Sequence, residues 1–430
     1  MFKVSGQLLR FLILMVIVVP LSFAQVEVNP QFNPQFNPQI DPQVDQKNSP
    51  LLKPLFGTEF TFTNPEIIAD FEKSGDEDIV NSDIVEKFQH LFAKKLRDVC
   101  AERKLILKKT LEELKRAQIF PGCKVVTVKN SYGVKVFRVI YEDGWWFQIA
   151  TDPAVVETQT KPSTRQEIID LKERIQQDLF EAAKSVGLTP HKEFGGGHIH
   201  MDFLTSFQSN ALLFRNFLVD IVNHPHLGLG ILDDDPHNAA PVALLKMKSK
   251  QSLVRTIKEF DCHYKSGQRD SIESLVNKIL ENVYNTTYSK GYEPAQKYHM
   301  LNLSRLTNKK FKESEKTIEL RGIRAQNNIG ELIQEMTLFE SRLNYLEQQF
   351  ANRFVPLKMM KVQYPTRSKN ILVEEFHEYV CTQGLNFKSM VELLPTKLQA
   401  IRRTRDYIQR EDQEFEANKE KMGGANSCQL

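Results

Sequence analysis

From Phe56 to Phe62 apolar and polar residues alternate, and this period of two over a Phe- and Thr-rich run predicts a strand. Over 79–118 the apolar spacing lengthens to a helical one, with Ile84, Phe88, Leu91 and Leu96 followed by Leu105 and Leu107. Val125–Val128 and Val134–Ile140 predict a hairpin around Asn130-Ser131-Tyr132-Gly133. Another strand begins at Trp145, after the Glu142-Asp143-Gly144 turn. Thr164-x-x-Glu167 is a capping-box pattern, and it opens a helix with Ile168, Leu171, Ile175 and Leu179 on one face. Gly187 ends it. Short strands are predicted at 198–203, 301–303 and 317–321, and helices at 206–222, 327–350 and 373–418. Strands and helices mix without a βαβ rhythm, which favours an α+β fold over a doubly wound parallel sheet.

The two ends of the chain break this pattern. Lys3 and Arg10 precede an apolar run from Phe11 to Phe23, and Ser22 and Ala24 put small residues where a signal peptidase cuts. Residues 1–24 therefore read as a signal peptide, and the run is shorter than the roughly 20 residues that span a bilayer. The expectation is an exported protein, periplasmic or secreted, with no membrane anchor after cleavage. Residues 25–50 repeat Asn-Pro-Gln-Phe with proline every fourth residue, a linker that forms neither helix nor central strand. Residues 51–345 read as the globular domain and 346–430 as a helical C-terminal extension that could dock on it or form an oligomer contact.

Composition narrows the function only slightly. The 430 residues are 41% hydrophobic and 26% charged, with a net charge of +3. That balance suits a globular domain and gives no electrostatic case for a nucleic-acid partner. The five cysteines, Cys100, Cys123, Cys262, Cys381 and Cys428, form no CxxC pair. An odd count in an exported chain allows a disulfide without choosing its partners.

Four segments carry candidate chemistry. In Phe56-Gly57-Thr58-Glu59-Phe60-Thr61-Phe62, Glu59 shares a face with Gly57 and Thr61, opposite Phe60 and Phe62. In the second, Asp152 leads into a turn and Glu157 follows the apolar pair Val155-Val156. The third is Phe194-Gly195-Gly196-Gly197-His198-Ile199-His200-Met201-Asp202. Its two histidines point to one face of a strand, as a shared metal or phosphate would require, and its glycines let a ligand approach the backbone. In Thr317-Ile318-Glu319-Leu320-Arg321, Glu319 and Arg321 share a face, a pairing suited to metal-bound phosphate. Taken singly, each has an ordinary reading: an amphipathic edge strand, a solvated acid, hydrogen-bonded histidines, an ion pair.

Their order is less ordinary. A glutamate strand, an acidic turn with a further glutamate, GxxHxH and then ExR resembles the glutamine synthetase and γ-glutamylcysteine ligase superfamily. The wording is most similar to its amidoligase branch. The resemblance runs from about Phe56 to Tyr345 and includes Lys161-Pro162 and Lys297-Tyr298-x-x-Leu301-Asn302-Leu303. It implies a curved antiparallel sheet flanked by helices, and an ATP-dependent ligase that joins a small-molecule or peptide carboxylate to an amine through an acyl phosphate. On this resemblance Glu59, Glu157, His198 and Glu319 hold Mg²⁺ or Mn²⁺. His200 faces the nucleotide phosphates and Arg321 the transferred phosphoryl group. Gly195 and Gly196 border the substrate, Asp152 and Asn302 support the site, and Arg305 and Lys316 are further phosphate-side candidates.

Two features depart from that pattern. The family's first strand carries ExE, whereas this chain has Glu59 followed by Thr61. Export also takes the protein away from cytoplasmic ATP. The rival expectation is an exported relative that binds a peptide, metal or envelope component without catalysis. A metal-dependent hydrolase built on His198 and His200 is a third class, without an HExxH motif to support it.

Overall fold

The strand that carries Glu59 lies near the middle of one antiparallel sheet. The computed structural model describes residues 51–74, 83–106, 121–130, 133–191, 194–224, 247–268, 271–284, 299–358 and 376–390. The strands are β1 (Leu55–Phe62), β2 (Cys123–Lys129), β3 (Lys135–Tyr141), β4 (Trp146–Asp152), β5 (Val155–Thr160), β6 (Ser163–Thr164), β7 (Ile199–Asp202), β8 (Leu301–Asn302) and β9 (Thr317–Leu320). Their order across the sheet is β2-β3-β4-β5-β1-β7-β9-β8, with β6 also paired to β1. With its helices this makes an α+β architecture around an open antiparallel sheet. The expected signal peptide, linker and helix beyond residue 390 lie outside the described residues, as do Lys297 and Tyr298. Among the described residues no helix is long and apolar enough to cross a membrane.

Alternation gives the sheet two unlike faces. On one, Phe60 and Phe62 of β1 pack edge-on against Phe180, with ring centroids 5.2 and 5.8 Å away, and Phe62 meets Phe92 at 6.2 Å. Phe92 lies on the helix Asp83–Ile106, and Phe180 on the helical run 165–185. Phe56, Phe60 and Phe62 are at most 1% exposed. Each such ring contributes about 1.5–3 kcal/mol of burial. The capping box expected at Thr164 and Glu167 is formed and starts the run. Within it Gln176–Glu181 makes a π-helical turn that carries the buried Asp178. Asp178 accepts both arms of Arg103, at 2.5 and 2.7 Å, and the Tyr141 hydroxyl at 2.6 Å. The disulfide Cys100–Cys123 closes the same corner and joins the helix Asp83–Ile106 to β2.

Some boundaries differ from the sequence pattern. The helix expected over 206–222 is two helices, Phe203–Phe207 and Ala211–Asn223. Gln208 and Ser209 between them are left-handed, with φ of 48° and 60°, and Asn210 caps the second helix through its side chain. The segment 376–390 is broken rather than one helix, with Gly384 at φ 70°. The helix Ile329–Phe350, capped by Asn328, runs across residue 345 without interruption. It is tied to the helix Ala211–Asn223 by the buried pair Arg342–Asp220.

Candidate functional site

The second face of the sheet is polar, and strand register decides what meets there. Gly57 of β1 stands opposite His200 of β7, so His200 shares the Glu59 face. His200 is in turn opposite Glu319 of β9, and Glu319 opposite Asn302 of β8. On the other side of β1, Glu59 is opposite Gln159 and Thr61 opposite Glu157 of β5. Gln159 pairs with Gln148 of β4, which pairs with Arg138 of β3.

At the centre Glu59 is 8% exposed and accepts from both histidines: His198 Nδ1 is 3.0 Å from Oε2 and His200 Nε2 is 2.8 Å from Oε1. His198 Nδ1 is also 3.3 Å from Glu319 Oε1. Arg321 donates to that same Glu319 oxygen at 2.6 Å, and Asn302 Nδ2 donates to Oε2 at 2.6 Å. His200 Nδ1 lies 3.3 Å from Thr317 Oγ1. Burial pushes the Glu59 carboxyl up, but the charge of His200 and the hydrogen bonds from His198 and His200 outweigh it and hold Glu59 well below the usual range. Burial also raises Glu319, and Arg321 and the two histidines override it downward. Glu157 goes the other way. Burial and the like charges of Glu59 and Asp152 hold it well above the usual carboxylate range, although Gln159 donates to it at 2.6 Å.

The glycine run lies over Thr61. Thr61 Oγ1 donates to the Gly196 carbonyl at 3.0 Å. Gly195 has φ 80°, and a Cβ there would lie 2.4 Å from Thr61 Oγ1 and 2.6 Å from Thr61 Cβ. A Cβ on Gly196 would lie 2.4 Å from His198 Nε2. Gly197 is held from behind, where its N–H donates to Ile323 O at 2.9 Å and its carbonyl accepts from Gln326 Nε2 at 2.9 Å. Gln326 Nε2 also donates to the buried Glu335 at 2.8 Å. Burial, against a weaker pull from the Gln326 bond, raises the Glu335 carboxyl to about 8.

Six of the sequence candidates thus meet in one constellation: Glu59, His198, His200, Asn302, Glu319 and Arg321. Glu157 stands in the adjacent row, Gly195 and Gly196 form the loop above Thr61, and Asp152 is exposed at the end of β4. Lys316 instead pairs with Glu313 at 2.5 Å, and Arg305 stacks over Phe311 at 5.3 Å. Sequence reasoning missed Arg138, Gln148, Gln159, Gln326 and Glu335. A lone arginine within the apolar run 136–140 and a lone glutamine within 146–150 were the available signal for the first two.

The constellation fits a divalent cation. Glu59, His200 and Glu319 each offer a ligand atom, and these atoms lie within 4.8 Å of one another. His198 meets the two carboxylates through Nδ1, and its Nε2, buried without a hydrogen-bond partner, faces Gly196 on the other edge of the ring. Two carboxylates with imidazole suit Mn²⁺ better than Mg²⁺, which prefers all-oxygen shells. Compared with known proteins, the chain matches no family model and no curated protein.

Proposed function

We propose that this chain is a divalent-cation-dependent ligase that uses ATP to join a carboxylate to an amine, as the resemblance to the amidoligase branch implies. The observation that carries the reading is the cross-strand register that aligns Glu59, His200, Glu319 and Asn302 on one face of an antiparallel sheet. Glu59, Glu319 and the histidines would hold the cation, which supplies charge neutralisation at the phosphoryl oxygens. Arg321, oriented by Glu319, offers guanidinium donors to the transferred phosphoryl group. The substrate carboxylate oxygen attacks the γ-phosphorus, ADP leaves, and the amine then displaces phosphate from the acyl phosphate with loss of a proton. The Gly195–Gly197 backbone, free of side chains, borders the place where that carboxylate would lie. The disulfide Cys100–Cys123 supports a home in an oxidising compartment, in line with the expected export.

One observation favours a second reading, a non-catalytic relative that binds a metal or peptide. Thr61 stands where the family has a second glutamate, and its hydroxyl is engaged by Gly196 O. Thermal unfolding of the mature chain with Mn²⁺, with and without ATP, separates the two. A shift on adding ATP that Glu319→Ala/Arg321→Ala loses supports the ligase. A response to Mn²⁺ alone, with none to millimolar ATP, supports the second reading.

A further inference from the structure

Beyond the Glu59 cluster the polar face continues as a hydrogen-bonded row, and the row ends on an arginine that no carboxylate among the described residues neutralises. Arg138 donates from one terminal nitrogen to Gln148 Oε1 at 2.8 Å. Gln148 Nε2 donates to Gln159 Oε1 at 2.6 Å, and Gln159 Nε2 donates to Glu157 Oε1 at 2.6 Å. Every donor in the row points toward Glu157. A guanidinium can only donate, so it fixes the orientation of both amides. The Arg138 guanidinium also stacks over the Trp146 ring, 4.3 Å from its centroid. Its Nε is buried without a hydrogen-bond partner.

This arginine differs from those of the ion-paired set. Arg103, Arg174, Arg215, Arg324 and Arg342 each face a carboxylate at 2.7 Å or closer. Arg138 is half-buried and faces none among the described residues. Val126, Ile140 and Trp146, all half-buried, lie on the same sheet face around it, because Val126 is opposite Arg138 and Ile140 opposite Trp146. The result is a half-buried apolar surround with one forked cation set into it, unpaired with any carboxylate among the described residues. A planar fork of donors over an aromatic ring matches a carboxylate.

We infer that Arg138 anchors a second carboxylate of the substrate, at the end remote from the reacting one. The inference rests on the ligase reading for the position of the reacting end. β3 and β1 are three strand steps apart, and Arg138 leans one step toward β1 through Gln148. The two ends are therefore separated by roughly 10–14 Å, at about 4.8 Å per step. A free dicarboxylic amino acid is too short for that distance. An extended peptide of about three or four residues spans it, at up to about 3.6 Å per residue. The substrate class is thus a short peptide, or an equally long molecule, with a carboxylate at both ends and an apolar middle.

The test is a calorimetric titration of the mature chain, with and without Mn²⁺, using straight-chain α,ω-dicarboxylates from succinate to sebacate. With Mn²⁺ the affinity should rise with chain length and be greatest for the long members. Arg138→Gln should weaken the longest ligand about tenfold or more and flatten the length dependence. Arg138→Lys, which keeps the charge and loses the fork, should fall between. Without Mn²⁺ the long ligand should still bind weakly through Arg138, and Arg138→Gln should abolish that binding. This arm holds even if the cation cluster proves empty of metal, so failure of the anchor and failure of the ligase reading are separable. An affinity in the wild type that ignores chain length, or an Arg138→Gln protein that binds sebacate like the wild type, overturns the proposal.

Discussion

Glu59 and Glu319 stand on the two strands that flank β7, and both reach one nitrogen, Nδ1 of His198, at 3.0 and 3.3 Å. Two buried carboxylates so close repel unless positive charge lies between them. In this chain the histidines and Arg321 supply it. A divalent cation held between Glu59, His200 and Glu319, as proposed above, would do the same more strongly.

Gly195→Ala should be strongly destabilising. The alanine would take a left-handed φ, and its Cβ would meet Thr61 Cβ at 2.6 Å, a position that no side-chain rotation relieves. The strain and overpacking together cost about 2–4 kcal/mol. Urea unfolding checks this, and Gly187→Ala, with φ 83° and nothing within 4 Å, isolates the backbone part.

Thr61→Glu would restore the ExE of the family. In a chelator the new carboxylate, opposite Glu157 and under the glycine loop, should destabilise by about 3 kcal/mol or more. Saturating Mn²⁺ should recover part of that loss and stabilise the variant more than it stabilises the wild type. Equal stabilisation of the two would show that position 61 lies outside the cation site.

How much of this was legible beforehand differs by element. The Glu59 strand, the hairpin and the capping box at Thr164 follow from local periodicity and short-range hydrogen bonding, which a sequence carries directly. The motif residues were likewise identifiable, because their types suit phosphate and metal chemistry. Register was not, since it depends on which distant strands pair, and β1 and β7 are separated by more than a hundred residues. The contact of His200 Nε2 with Glu59, at 2.8 Å, is one that only the β1–β7 pairing reveals. The turn after Asp152 lies where the sequence put it, at residues 153–154, but the strand Val155–Thr160 that follows it, with Val155 and Val156 buried, went unread because it is short and mixed in polarity. Arg138, Gln148 and Gln159 each look solvent-facing alone and gain meaning only as a row.

The stability of the protein should depend on pH through Glu335. Its folded value is about 8 against an ordinary value of 4.5. Between these the folded state keeps a proton that the unfolded state releases, so stability falls as pH rises, by about 1.4 kcal/mol per pH unit from this group. In Glu335→Gln the amide oxygen can accept the same bond from Gln326 without the titration. Measured by chemical denaturation at pH 5 and pH 8, the variant should gain on the wild type as pH rises. A constant difference would contradict the prediction.

Reduction of Cys100–Cys123, which closes a 23-residue separation, should cost on the order of 3 kcal/mol. Differential scanning calorimetry with and without reductant checks this, with the Cys100→Ser/Cys123→Ser protein as the reference for that bond.

The most direct test of the central claim is Mn²⁺ binding to the chain from Gln25 onward, read by electron paramagnetic resonance and calorimetry beside Glu59→Gln and Glu319→Gln. The cluster predicts a saturable Mn²⁺ site in the wild type whose affinity falls at least about tenfold in each variant, the loss expected when a charged ligand is removed. A wild type that binds no Mn²⁺, or variants that bind it as the wild type does, would contradict the claim that Glu59, His200 and Glu319 form a metal site.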